Sequence, residues 1–204
     1  MRRLFLIMIF ILISLSLFSR DVVENRGDII MIVAPENYRD EEFQIPYDYL
    51  KSKGYNVIVA SRTTDSITGM LRGKIKPDSL IKNIIPDSFD ALVIPGGSGA
   101  SVFFNDTLVK NIVLRFNRDN KIISAICLSP VTLAKFGVLK GKNATVWPSI
   151  FTKRELEKYG AKYKNNNVVI DGNIITGDGP KSSLEFAKAI DSLIILRKEA
   201  NNVK

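Results

Sequence analysis

Short apolar segments alternate with amphipathic ones along this chain from residue 28 onward. Four of them have the length and composition of buried strands: 28–34 (DIIMIVA), 55–61 (YNVIVAS), 90–94 (DALVI) and 121–126 (KIISAI). Strands that are apolar on both faces are typical of a parallel sheet covered by helices on both sides. The alternation therefore predicts a three-layer α/β sandwich with a mostly parallel sheet, formed by one domain over residues 28–198.

The intervening segments show helical spacing of apolar residues. Phe43, Pro46, Tyr47 and Leu50 are spaced 0, 3, 4 and 7, and Gly54 ends that pattern. Further helices are predicted over 105–118, 129–136, 151–159 and 180–197, and an Asp171-Gly172 turn predicts a hairpin of strands 168–170 and 173–176. The predicted buried stripes are Leu108, Ile112 and Phe116 in one long helix, and Leu184, Ala187, Ile190, Leu193 and Ile194 in the other.

The first nineteen residues have a different character. Arg2 and Arg3 precede a fifteen-residue apolar run from Leu4 to Phe18, and Ser19 offers a small residue for cleavage. The run is short for a bilayer span, which needs about 20 residues. We expect residues 1–19 to be a signal peptide or an uncleaved N-terminal anchor, which makes the protein exported, to the periplasm or extracellular space, or membrane-anchored.

Composition excludes several kinds of chemistry. The chain has no histidine and one cysteine, so it cannot build a Ser-His-Asp triad, a Cys-His dyad or a multi-cysteine zinc site. We expect no metal and no cofactor. The net charge is +8, but the lysines are scattered, which is typical of a solvated surface and predicts no nucleic-acid partner. Membrane contact is expected only through residues 1–19.

Three loops follow predicted parallel strands, and ligands bind at such strand ends. They cover residues 35–42, 95–100 and 126–130. Cys127 lies between a strand and a helix, as in a nucleophile elbow, and a helix N-terminus there would lower the pKa of its thiol. Gly96 and Gly97, with Leu128, are candidates for an oxyanion or anion pocket beside the sulfur.

Glu42 begins the first predicted helix and has two interpretations. Its carboxylate complements the helix dipole, or it points into the pocket as a hydrogen-bond donor or a general acid/base. The sequence alone does not choose between them.

Several motifs resemble those of the ThiJ/PfpI superfamily, the family of the Parkinsonism-associated deglycase and the PfpI endopeptidase. The segment 123–134 (ISAICLSPVTLA) resembles its cysteine elbow, and 90–97 (DALVIPGG) its glycine-rich strand end. The segment 35–46, with glutamate four residues before proline, resembles its glutamate loop, and 174–180 (IITGDGP) its C-terminal motif. The likeness spans about residues 28–195.

The resemblance implies a flavodoxin-like, class I glutamine amidotransferase-like sandwich, commonly a homodimer. It implies Cys127 as the reactive cysteine, Glu42 as its partner carboxyl, and backbone N–H groups from Gly96 and Gly97 near the sulfur. Peptidase-like members carry histidine after the cysteine, where this chain has Leu128, so peptidase activity is not expected.

Three functions stay open. One is a cofactor-independent enzyme acting on small carbonyls, a glyoxalase or deglycase. The second is a redox-responsive or chaperone-like protein whose partner is an oxidant of Cys127. The third is a binding module in which Leu128 and Ser129 reshape the pocket.

Overall fold

The computed structural model describes residues 25–202, so the predicted N-terminal leader or anchor lies outside the described residues. Eleven strands occur in this part of the chain: β1 Asp28–Ile32, β2 Asn56–Ser61, β3 Ile67–Thr68, β4 Lys74–Ile75, β5 Ser79–Leu80, β6 Ala91–Ile94, β7 Ile122–Ile126, β8 Asn143–Ala144, β9 Lys162–Tyr163, β10 Val168–Asp171 and β11 Ile174–Gly177. The α-helices are α1 Asp40–Ser52, α2 Thr107–Arg118, α3 Pro130–Lys135, α4 Ile150–Lys158 and α5 Ser183–Asn202.

Seven strands form one sheet in the order β10-β11-β7-β6-β1-β2-β5. All neighbours are parallel except β10, which pairs antiparallel with β11 through the predicted hairpin. The central strands β1, β6 and β7 are buried almost throughout, because helices cover both faces. The predicted three-layer α/β sandwich with a mostly parallel sheet is confirmed.

The order of the central strands decides where a ligand can bind. From β1 the chain moves to β2 on one side, then crosses to β6 and β7 on the other. Helices that follow β1 and β6 therefore diverge, which leaves a crevice beyond the carboxyl ends of these strands. The loops after β1, β6 and β7 all meet at this crevice.

Two predicted helix stripes were wrong in part. Leu108 and Leu184 are about half exposed, at 49% and 46%. The buried face of α2 consists of Val109, Ile112, Val113 and Phe116, whereas Leu108 lies in the first turn, where Asp106 caps the helix by accepting from the N–H groups of Leu108 and Val109. In α5 the side chain that fills the core is Phe186, which lies on the opposite side of the helix from Leu184.

Strands β3 and β4 form a small hairpin beside the N-terminus of α1. Asp40, the first residue of α1, accepts hydrogen bonds from the N–H groups of Leu71 and Gly73, each at 2.7 Å. Tyr38 adds a hydroxyl bond to the Gly73 carbonyl at 3.0 Å. These contacts hold the hairpin tip next to the crevice at the sheet edge.

A membrane-spanning helix would have to be long and almost wholly apolar. Within residues 25–202, no helix meets both conditions.

Candidate active site

Cys127 occupies a sharp turn directly after β7. Its φ is +63°, a left-handed conformation that is uncommon for residues other than glycine. The turn is held from both sides: the Cys127 N–H donates to the Gly177 carbonyl and the Cys127 carbonyl accepts from the Trp147 N–H, each at 2.9 Å. Such strain is found where the surrounding structure fixes a functional side chain. The thiol is partly exposed and faces the crevice.

Glu42 comes from the first turn of α1 and is completely buried. Its Oε2 accepts a hydrogen bond from the Gly96 N–H at 3.0 Å, whereas its Oε1 has no hydrogen-bond partner. The carboxyl interacts with the Cys127 thiol, and each group shifts the pKa of the other. Of the two interpretations of Glu42, the structure therefore supports the one in which the carboxyl points into the pocket.

The backbone donors around the sulfur differ from the expected set. The backbone N–H groups of Gly97 and Leu128 act on the Cys127 thiol and lower its pKa. The N–H of Gly96 instead donates to Glu42. Gly96 nevertheless has to be glycine, since a Cβ there would lie 2.6 Å from the Cys127 Cβ and 2.6 Å from Glu42 Oε2. Gly97 has a φ of +97°, which also favours glycine.

Burial sets the protonation of the Cys–Glu pair. Burial raises the pKa of Glu42 to about 7, and the nearby Cys127 thiol and the hydrogen bond from the Gly96 N–H limit the rise. Burial also raises the pKa of the Cys127 thiol, and the Glu42 carboxylate raises it further. The N–H groups of Gly97 and Leu128 oppose this rise.

The expectation that a helix N-terminus lowers the pKa of Cys127 is therefore wrong for the resting pair. Helix α3 has only six residues and begins at Pro130, which has no N–H to donate. Desolvation together with a neighbouring carboxyl outweighs the backbone N–H groups that lower the thiol pKa. A thiol in this setting needs a base to accept its proton, and Glu42 is the adjacent group.

A cleft of about 370 Å³ opens above the sulfur. Its walls are mostly apolar and consist of Arg39, Glu42, Met70, Gly97, Ser98, Cys127, Leu128, Trp147 and Pro180. The structure thus brings Cys127, Glu42, Gly97 and Leu128 together at one solvent-connected site. In the described part of the chain, no group of three or more Cys, Asp and Glu side chains is arranged to hold a metal ion.

Sequence reasoning did not assign three residues of this region. Arg39, Met70 and Trp147 line the cleft but come from loops far apart in sequence. The expectation that Ser129 reshapes the pocket is not supported. Ser129 is fully buried, and its hydroxyl donates to the Pro95 carbonyl at 2.7 Å, so it braces the elbow against the glycine-rich loop.

The fold and the site define a class: α/β proteins with a cysteine on a strained strand-to-helix turn and a buried carboxyl beside it. The DJ-1/PfpI family model matches residues 28–192, and the chain belongs to that family. The expected ThiJ/PfpI membership is confirmed.

Relatives and solved structures agree with this assignment. The uncharacterized protein MJ0967 of Methanocaldococcus jannaschii is 40% identical over 89% of this chain and 95% of its own length. Deglycase PYRAB04690 of Pyrococcus abyssi is 33% identical over 74% and 90%. The glutathione-independent glyoxalase DJR-1.2 of Caenorhabditis elegans is 28% identical over 80% and 87%. The crystal structure of Drosophila melanogaster DJ-1beta superimposes with a TM-score of 0.75 at 31% identity, covering 82% of this chain and 91% of that one.

Proposed function

We propose that the protein is a cofactor-independent enzyme that converts small α-oxoaldehydes into 2-hydroxy acids. The observation that carries the proposal is the unpartnered Oε1 of Glu42, buried beside a thiol that opens to a cleft. Relatives named deglycase and glutathione-independent glyoxalase support the same chemistry.

The first step forms a bond between sulfur and carbon. The Cys127 sulfur attacks the aldehyde carbon while its proton passes to the Glu42 carboxylate, and the aldehyde oxygen becomes the hydroxyl of a hemithioacetal. The N–H groups of Gly97 and Leu128 lie where they stabilise the negative charge that develops on sulfur or oxygen.

The remaining steps move protons and add water. Glu42, having passed its proton to the hydroxyl oxygen, removes the proton from the carbon bonded to sulfur, which gives an enediolate. Glu42 returns this proton to the neighbouring carbon, and the hydroxyl proton moves to the former ketone oxygen, which yields a 2-hydroxy thioester. Water then hydrolyses the thioester, releases the 2-hydroxy acid and restores the thiol. For methylglyoxal the balance is one aldehyde and one water consumed for one lactate formed.

The test measures lactate formation from methylglyoxal by the purified domain. Turnover is expected, with loss of at least about 100-fold in kcat/KM for Cys127→Ser and Glu42→Gln, the typical contribution of a general base. Glu36→Gln is the matched control, because its exposed side chain comes from the same loop. Equal rates in the wild type and both site variants would refute the enzyme.

A deglycase activity would use the same sulfur on a methylglyoxal adduct of an amine. Preformed hemithioacetals and aminocarbinols of N-acetylcysteine and N-acetyllysine distinguish the two. A deglycase releases the amine or thiol from the adduct faster than free methylglyoxal is consumed. A glyoxalase acts on free methylglyoxal alone, so the adduct breaks down only as fast as it releases the aldehyde.

We propose oxidation of Cys127 as a second candidate function, favoured by the same free Glu42 Oε1. One peroxide converts the thiol to sulfenic acid and water, and a second gives sulfinic acid and water. A protonated Glu42, whose pKa is raised to about 7, would donate a hydrogen bond to the new oxygen. Mass spectrometry after mild peroxide should show two added oxygens on Cys127, and a lack of oxygen there with oxidised methionines elsewhere would exclude this role.

We also propose that the protein is a homodimer that is exported or anchored through residues 1–19. The apolar run from Leu4 to Phe18 supports the location. Apolar side chains exposed around the β3–β4 hairpin and α1, which are Ile45 and Leu71, support a dimer surface. Light scattering on residues 25–204 and fractionation of cells expressing the full chain test the two statements separately.

A further inference from the structure

The cleft is larger and more apolar than methylglyoxal requires. Its volume of about 370 Å³ falls in the range of about 300–1,000 Å³ that is typical of sites for drug-sized ligands. Methylglyoxal carries only a methyl group on its reactive pair of carbonyls. Most of the wall would stay in contact with water if that were the preferred substrate.

Trp147 is one fixed wall of the cleft. Its N–H donates to the carbonyl of Cys127 at 2.9 Å, so its backbone is tied to the residue that carries the sulfur. Its ring lies against Gly179, where an added Cβ would come within 2.8 Å of the ring. Its carbonyl accepts from the Thr152 hydroxyl in the capping box of α4. The indole is therefore held at a set position relative to the thiol although it is 47% exposed.

Met70 is an apolar wall contributed by the hairpin tip. Its N–H donates to the Tyr38 carbonyl at 2.9 Å, and Asp40 holds the next residues of the tip. The side chain is 43% exposed at the cleft. A thioether is flexible and adapts to aromatic surfaces.

The cleft has one cationic side chain, and it is already paired. The Arg39 Nε lies 2.8 Å from Glu41 Oε2, and its Nη2 donates to Glu41 Oε1 at 3.0 Å. This pairing leaves little charge to attract a carboxylate or phosphate on the substrate. The remaining lining side chains, Leu128 and Pro180 among them, favour an uncharged substituent.

We infer that the preferred substrates are α-oxoaldehydes whose second carbonyl bears a bulky apolar group, which stacks on Trp147 and contacts Met70. The inference rests on the proposed enzyme activity and specifies its substrate class. The probe is phenylglyoxal, which the same reaction converts to mandelate with one water.

The experiment compares initial values of kcat/KM for phenylglyoxal and methylglyoxal. Trp147→Ala and Met70→Ala should each lower the ratio of kcat/KM for phenylglyoxal to kcat/KM for methylglyoxal by about tenfold, the usual effect of lost apolar contact in a pocket. Comparing each variant with the wild type cancels the intrinsic reactivity of the two aldehydes. Trp147→Phe should restore most of the ratio.

Ile150→Ala is the matched control, because Ile150 is an apolar side chain near Trp147 that is 74% exposed and does not line the cleft. It should leave the ratio unchanged. An unchanged ratio in Trp147→Ala and Met70→Ala, or a higher kcat/KM for 4-carboxyphenylglyoxal than for phenylglyoxal, would overturn the inference. If methylglyoxal itself is not converted, the proposed enzyme activity fails first.

Discussion

Gly96 and Cys127 approach so closely that no side chain fits between them. A Cβ on Gly96 would lie 2.6 Å from the Cys127 Cβ and 2.7 Å from the Ile126 carbonyl oxygen. The same glycine donates its N–H to Glu42, so one backbone unit contacts both the carboxyl and the Cys127 side chain and positions both. The spacing of the reactive pair is therefore set by the glycine-rich loop after β6.

Gly96→Ala should remove activity and destabilise the fold. The new methyl group would push against backbone as well as the Cys127 and Glu42 side chains, and such overpacking typically costs about 1–3 kcal/mol. Urea denaturation together with methylglyoxal turnover measures both effects. Gly137→Ala is the control, because its Cβ would meet nothing within 4 Å and only its positive φ is strained. Wild-type turnover in Gly96→Ala would contradict the assigned role of this loop.

The activity should rise with pH through about 7. Glu42 must be ionised to accept the thiol proton, and burial raises its pKa to about 7. A pH profile of kcat/KM for methylglyoxal checks this. The residual activity of Glu42→Gln should lack the rise in kcat/KM near pH 7. If the variant shows the same rise, a group other than Glu42 causes it.

Stability should fall as pH rises from about 4.5 to about 7. The pKa of Glu42 is raised from 4.5 to about 7 in the folded protein, so the folded state holds a proton that the unfolded chain releases earlier. This proton contributes on the order of 3 kcal/mol to the free energy of unfolding, and the contribution is fully present below pH 4.5 and lost above pH 7. Denaturation of wild type and Glu42→Gln at several pH values measures it. A wild-type curve parallel to that of the variant would show that Glu42 is not buried as described.

Asp40→Ala should loosen the hairpin that carries Met70. The carboxylate accepts two backbone N–H groups, and bonds to charged groups are worth about 1.5–3 kcal/mol each. We expect lower stability, faster proteolysis within residues 69–73, and a raised KM for phenylglyoxal with little change in kcat. Asp48→Ala, on the exposed face of the same helix, should behave like the wild type. Unchanged KM and proteolysis in Asp40→Ala would show that the hairpin is held by other contacts.

Much of the architecture could be predicted from local patterns. Buried parallel strands are continuous apolar runs, and β1, β6 and β7 were recognised within two residues of their bounds for that reason. The loops that meet at the site were also predictable, because parallel strands place their carboxyl ends on one edge. The stripes of α2 and α5 were less certain, since capping and packing set the rotation of a helix.

Residue type and spacing determined that a lone cysteine on an elbow and a pair of glycines lie at one edge of the sheet, and they left the role of the helix-start glutamate open. Only the tertiary structure decided that the Gly96 N–H donates to Glu42, and that Trp147 and Met70 enclose the cleft. It also reversed the expected shift of the Cys127 pKa. Hydrogen-bond direction and desolvation depend on which groups meet across loops distant in sequence, and a linear pattern carries no information about either.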